Sequence, residues 1–111
     1  MEKTVYAYLL SLGINPINLG IKYIMELIIS ELRGENILPL TLVGYKNLAQ
    51  KYNKSVYCIE KNIQNVISKA WLKGDIDFLY KEFGETIDDY KGKPTNKQFI
   101  FTVAEKLSGI I

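Results

Sequence analysis

An all-α fold, a compact bundle of about six helices, is what this 111-residue sequence predicts. Apolar residues recur in six stretches at three- and four-residue steps, the spacing of one face of a helix. No stretch sustains the two-residue alternation of a strand. Short breakers such as Gly13, Arg33-Gly34 and Lys73-Gly74 separate the stretches.

The first helix covers about residues 3–12, with Val5, Leu9 and Leu12 on one stripe and Gly13 as its stop. The second carries Ile21, Ile24, Met25, Ile28 and Leu32, with Asn18 as its expected cap. A third spans about residues 41–52 and carries Gly44 as a weak interior position, about 1 kcal/mol below Ala. The fourth is the clearest: Val56, Ile59, Ile63, Val66, Ile67, Ala70 and Trp71 mark more than four turns. Ser55 immediately precedes it and can accept an orphan N–H of the first turn. Trp71 and Cys58 both read as packing residues. Ile76, Phe78, Leu79 and Phe83 make a short fifth helix between Asp75 as cap and Gly84 as stop. A loop follows through ETIDDYKGKP. The last helix opens with TNKQ, a Thr-x-x-Gln capping box, and buries Phe99, Ile100, Val103 and Leu107. With no repeat, low-complexity tract or linker, residues 1–111 read as a single domain.

Composition removes several function classes. The hydrophobic content of 48% and mean hydropathy of +0.00 fit a soluble globular chain. No apolar run approaches the ~20 residues of a membrane span, and MEKTVYAYLL, with an acid beside its lysine and no small-residue cleavage site, is not expected to be a signal peptide. A single cysteine and no histidine leave no disulfide framework, thiol–imidazole pair or zinc cluster. The expectation is a cytoplasmic protein that is not an enzyme and uses no metal or cofactor.

Charge is informative through its placement. The net charge is only +2. Residues 44–74, however, hold lysines 46, 51, 54, 61, 69 and 73 against Glu60 alone, a balance of +5. Residues 75–89 hold Lys81 against six acids, a balance of −5. The basic block is the pattern a polyanion binder needs.

That block coincides with a break at Tyr52-Asn53-Lys54-Ser55 between the third and fourth helices. A helix-turn-helix needs a small residue where its two helices cross, and Ala49 supplies one. Its turn needs a residue that tolerates left-handed backbone, and Asn53 sits four positions on. Val56 and Ile59 then take the apolar positions seven and ten after Ala49. The unit therefore comprises helices of about 41–52 and 55–73. With Val56, Ile59 and Ile63 inward, the outward face of the second helix carries Tyr57, Glu60, Lys61 and Gln64. Their chemistry suits base edges: Lys with guanine O6/N7, Gln with adenine N6/N7, Glu with the cytosine amino group, Tyr with a thymine methyl or a phosphate. Lys51, Lys54 and the Ser55 hydroxyl flank the helix start, where free N–H groups favour phosphate.

The segments AQKYNKSVYCIEKNIQNVISKAWLKGDID, FG at 83–84 and GKPTNKQFIFTVAEKL resemble the DNA-binding effector domain of the stage-zero sporulation response regulators. The resemblance runs through roughly residues 8–108. AW-x-x-G-x-ID (70–77) and GKPTN-x-x-FI (92–100) are its most specific pieces. It implies a six-helix domain whose third and fourth helices form the helix-turn-helix. It also implies binding to short double-stranded promoter boxes, often by two copies in tandem. Through the GKPTN loop it adds Lys93, Thr95, Asn96 and Lys97 as phosphate-backbone contacts.

The sequence departs from that family in two ways. The family's Arg-Val-Glu-Arg run is Cys58-Ile59-Glu60-Lys61 here, and a later arginine is Gln64. Lysine lacks the bidentate fork of arginine, so the DNA box or the affinity differs. The sequence starts just ahead of the effector region, and the expectation is an excised domain or, in preference, a stand-alone paralogue without a receiver domain. The expected function is a sequence-specific, DNA-binding transcriptional regulator. Its expected partners are promoter DNA, a second copy of the chain, and a full-length sporulation regulator or RNA polymerase. The alternative is a protein-interaction module or antagonist that keeps the fold and has lost or altered DNA specificity.

Overall fold

In a computed structural model that describes residues 1–84, 87 and 92–110, the described residues form six helices and no strand. They are α1 (Glu2–Ser11), α2 (Gly20–Leu32), α3 (Gly44–Tyr52), α4 (Val56–Lys73), α5 (Ile76–Phe83) and α6 (Asn96–Ser108). Helix α2 is central and packs against α1, α4 and α6, while α4 also packs against α3 and α6. Every stripe predicted for α1, α4 and α6 faces the shared core, Val56 only in part. Ile76 is the outward exception on α5.

Glycine sets the distance at which α2 crosses α4. A Cβ on Gly20 would lie 2.4 Å from the Asn62 carbonyl oxygen and 2.5 Å from a Val66 methyl, so a side chain there would force the two helices apart. The far end of α4 is held by aromatic packing. Trp71 meets Phe83 and Phe99 edge-on at 5.3 and 6.2 Å, and those two rings stack at 5.2 Å. Trp71 is thus the anchor its stripe predicts, although its buried indole N–H has no acceptor among the described residues.

Two local expectations are corrected. Asn18 does not cap α2 with its side chain. Leu19 already has helical backbone (φ −58°, ψ −33°), and Asn18 contributes only its carbonyl, which accepts from the Ile21 N–H at 3.2 Å. Helix α3 begins at Gly44, not near Thr41. Residues 40–43 form a turn in which the Leu42 and Val43 N–H groups both donate to the Pro39 carbonyl. Gly44 is therefore the first residue of the helix and carries no interior penalty. It is needed for space, because a Cβ would sit 2.9 Å from Leu27 Cδ2 and 3.1 Å from the Ile37 carbonyl.

The other boundary signals hold. Ser55 Oγ accepts from the Cys58 N–H at 3.0 Å, and Asp75 accepts from the Asp77 and Phe78 N–H groups. Thr95 and Gln98 form the reciprocal capping box at 3.1 and 2.9 Å. Most of the loop read after Gly84 (85, 86 and 88–91) lies outside the described residues, and so does part of the acidic stretch of 75–89.

Candidate nucleic-acid interface

The turn between α3 and α4 is built as its residue types require. Asn53 sits in the left-handed region (φ 54°, ψ 49°), and the Ala49 carbonyl accepts from the N–H groups of both Asn53 and Lys54. Ala49 is buried at the crossing. The chain then enters α4 through Ser55, whose side chain satisfies one orphan donor of the first turn.

The buried side of α4 fixes the exposed one. Ile59 and Ile63 are 0% accessible and Val56 is half-buried, so Tyr57, Glu60, Lys61 and Gln64 all face outward. Tyr57 is 69% exposed. Their surroundings sort the four into two pairs. Lys61 Nζ lies 6.0 Å from the centroid of the Tyr57 ring, so cation and aromatic face form one unit. Glu60 and Gln64 instead border a cleft shared with Tyr45, Thr95, Asn96 and Lys97, about 360 Å³ in volume.

That cleft joins the second candidate segment to the first. The GKPTN stretch runs along the flank of α4. Lys93 Nζ donates to Ser68 Oγ, and two turns back along α4 the Asn96 amide donates to the Glu60 carbonyl at 3.2 Å. The same amide nitrogen donates to the Tyr45 hydroxyl at 3.2 Å. Burial raises the Tyr45 phenol above its usual range, with a smaller push from the Glu60 carboxylate, while the Asn96 hydrogen bond acts in the opposite direction. The start of α6 thus offers the N–H groups of Asn96 and Lys97, the Lys97 ammonium and the Thr95 hydroxyl hydrogen beside the exposed face of α4.

The remaining predicted cations differ in availability. Lys54 is exposed on the turn. Lys51 is exposed too, but its ammonium lies 2.5 Å from Glu26 Oε1 on α2 and 5.5 Å from the Tyr52 ring centroid. Tyr52 donates its hydroxyl to the other Glu26 oxygen. Burial, followed by that bond and the Glu26 charge, pushes its phenol up to about 12. Sequence reading missed Glu26, Tyr45 and Ser68 because these contacts join residues 25 to 51 positions apart. Their side chains carried no local signal.

Among the described residues no three His, Cys, Asp or Glu side chains gather to hold a metal, and no helix is long and apolar enough to cross a membrane. All six lysines of the basic block are exposed. The family model described as sporulation initiation factor Spo0A C terminal matches residues 5–107.

Proposed function

The chain belongs to the Spo0A C-terminal family, the DNA-binding effector domain of that sporulation factor, and from that premise we propose that it is a sequence-specific regulator reading promoter DNA with α4. One observation carries the reading: four exposed polar side chains stand on the first turns of a capped helix that a left-handed Asn53 sets off from α3. Tyr57, Glu60, Lys61 and Gln64 enter the major groove and contact base edges. Lys54, the Ser55 hydroxyl, Thr95 and Lys97 hold phosphates on either side. Lys93 keeps two ammonium hydrogens beyond its bond to Ser68 and can add a contact. Lys51 joins them only when its pair with Glu26 opens.

Titration of labelled promoter duplex tests this. Specific binding in the nanomolar range is expected, with affinity falling steeply as salt rises, by roughly 0.9 in log K per log salt for each phosphate neutralised. Lys54→Ala should weaken all duplexes alike and lower that slope by about 1. Binding weaker than roughly 10⁻⁵ M to every duplex at physiological salt would overturn the proposal.

A second reading is favoured by the uncharged Cys58 and Gln64 on the helix that presents the reading face. It is a protein-interaction module that pairs with a full-length sporulation regulator. Capture of such a regulator without DNA, together with no footprint on any duplex, would select it.

A further inference from the structure

The Asn96 side chain has two hydrogens to donate, and both are engaged within the protein. One goes to the Glu60 carbonyl and the other to the Tyr45 hydroxyl. A carbonyl only accepts, so the Glu60 contact fixes which end of the amide faces α4. What remains on the Asn96 side chain is an acceptor oxygen. Phosphate oxygens are themselves acceptors, so this side chain has no donor left for the backbone of a nucleic acid.

We infer that Asn96 is a positioning residue, which ties the start of α6 to both helices of the helix-turn-helix and so sets the pitch of the reading face. This rests on the reading of α4 as the helix that enters the groove. The tie falls at a sensitive point. Within a helix the Glu60 carbonyl accepts the Gln64 N–H, so the Asn96 bond uses its second lone pair and grips the turn between two base-reading residues. Tyr45, only 3% exposed, anchors the other hydrogen bond from inside α3. Base readers must be held to within about 0.5 Å and 10–20° of their working geometry, and the two Asn96 bonds add a directional restraint to the apolar burial of Ile59 and Ile63. The bond is well placed to persist, because Thr95 and Gln98 cap α6 independently of Asn96.

Three variants test the inference: Asn96→Ala, Tyr45→Phe and the double change. The Tyr45 hydroxyl accepts from Asn96 in the cleft it shares with Glu60 and Gln64, so Tyr45→Phe removes one of the two Asn96 bonds and leaves the other in place. Asn96→Ala is expected to reduce the preference for a selected duplex over a scrambled one by roughly five- to tenfold. Affinity for the scrambled duplex should change less than about twofold, since the phosphate donors remain. Tyr45→Phe should act in the same direction, and the double variant should be no worse than Asn96→Ala, because both break one tie. Equal weakening of both duplexes by Asn96→Ala, with Tyr45→Phe silent, would make Asn96 a phosphate contact and overturn the inference. Amide hydrogen exchange in the free protein gives a second readout. The N–H groups of residues 60–64 should exchange several-fold faster in Asn96→Ala, and unchanged exchange would also overturn it. If the unaltered protein preferred no duplex, the DNA reading of α4 would fall while exchange still decided whether Asn96 holds the helix.

Discussion

The two halves of α4 differ in what surrounds them. The C-terminal half buries Val66, Ile67, Ala70 and Trp71 and ends where Trp71 meets the stacked Phe83 and Phe99 edge-on. The N-terminal half buries only Ile59 and Ile63 fully and turns Tyr57, Glu60, Lys61 and Gln64 outward. One helix therefore divides into a packed half and a presenting half. Its second half is held by apolar burial from three other helices. Its first half adds a cap, a turn and one amide to the burial of Ile59 and Ile63 and leaves four polar side chains on its outer face.

Trp71→Ala should give the largest effect and test the packed half. Loss of a buried indole from an aromatic cluster is expected to cost about 3–5 kcal/mol in denaturant unfolding. DNA binding should then fail only as far as the protein unfolds. A variant that stayed stable would break the division of labour between the halves.

Lys61→Ala probes the presenting half. It should cost about 1–3 kcal/mol in binding and relax one base position, with stability unchanged to within about 0.5 kcal/mol. A stability loss as large as the binding loss would show that the two halves are not separable. Ser55→Ala lies at the boundary. Removing the acceptor for the Cys58 N–H should lower stability by about 1 kcal/mol, read from the denaturant midpoint.

The last expected effect appears only in alkaline solution, as a pH dependence at the turn. The Tyr52 phenol is raised from 10.0 to about 12 in the folded protein, chiefly by burial and then by Glu26. Below pH 10 both folded and unfolded states keep this proton, so its contribution is complete. Between pH 10 and about 12 the unfolded state releases it first, and stability falls as pH rises. Tyr52→Phe should flatten that part of the stability profile, and an unchanged slope would place the titration elsewhere.

How much of this was legible in the sequence depended on the range of the cause. Helix periodicity is local, so the stripes ending in Val66–Trp71 and Phe99–Leu107 could be read directly. The Ser55, Asp75 and Thr95 caps, and the left-handed Asn53, act over one turn and were equally readable. Gly44 was misread because its role lies in space against Leu27 and Ile37, not in helix propensity. The start of α3 moved for a related reason: the Gly44 and Tyr45 N–H groups donate to the Ile37 and Leu40 carbonyls, so the i→i−4 ladder of a helix from Thr41 does not form there.

At the candidate interface the exposed quartet followed from the buried stripe. The partners of Lys51, Lys93 and Asn96 did not, since Glu26, Ser68 and Tyr45 approach them only after the chain has folded. These three contacts matter because they change what each side chain still has to offer. Lys51 is held by a carboxylate, Lys93 retains spare hydrogens, and Asn96 has given up both of its own.

Selecting bound molecules from a random duplex pool, with the unaltered protein and with Lys61→Ala in parallel, tests the central claim most directly. Reading by the exposed face of α4 predicts one enriched box for the unaltered protein and the same box with a single relaxed position for the variant. A pool that stays at its input composition, or an identical box from both proteins, would contradict it.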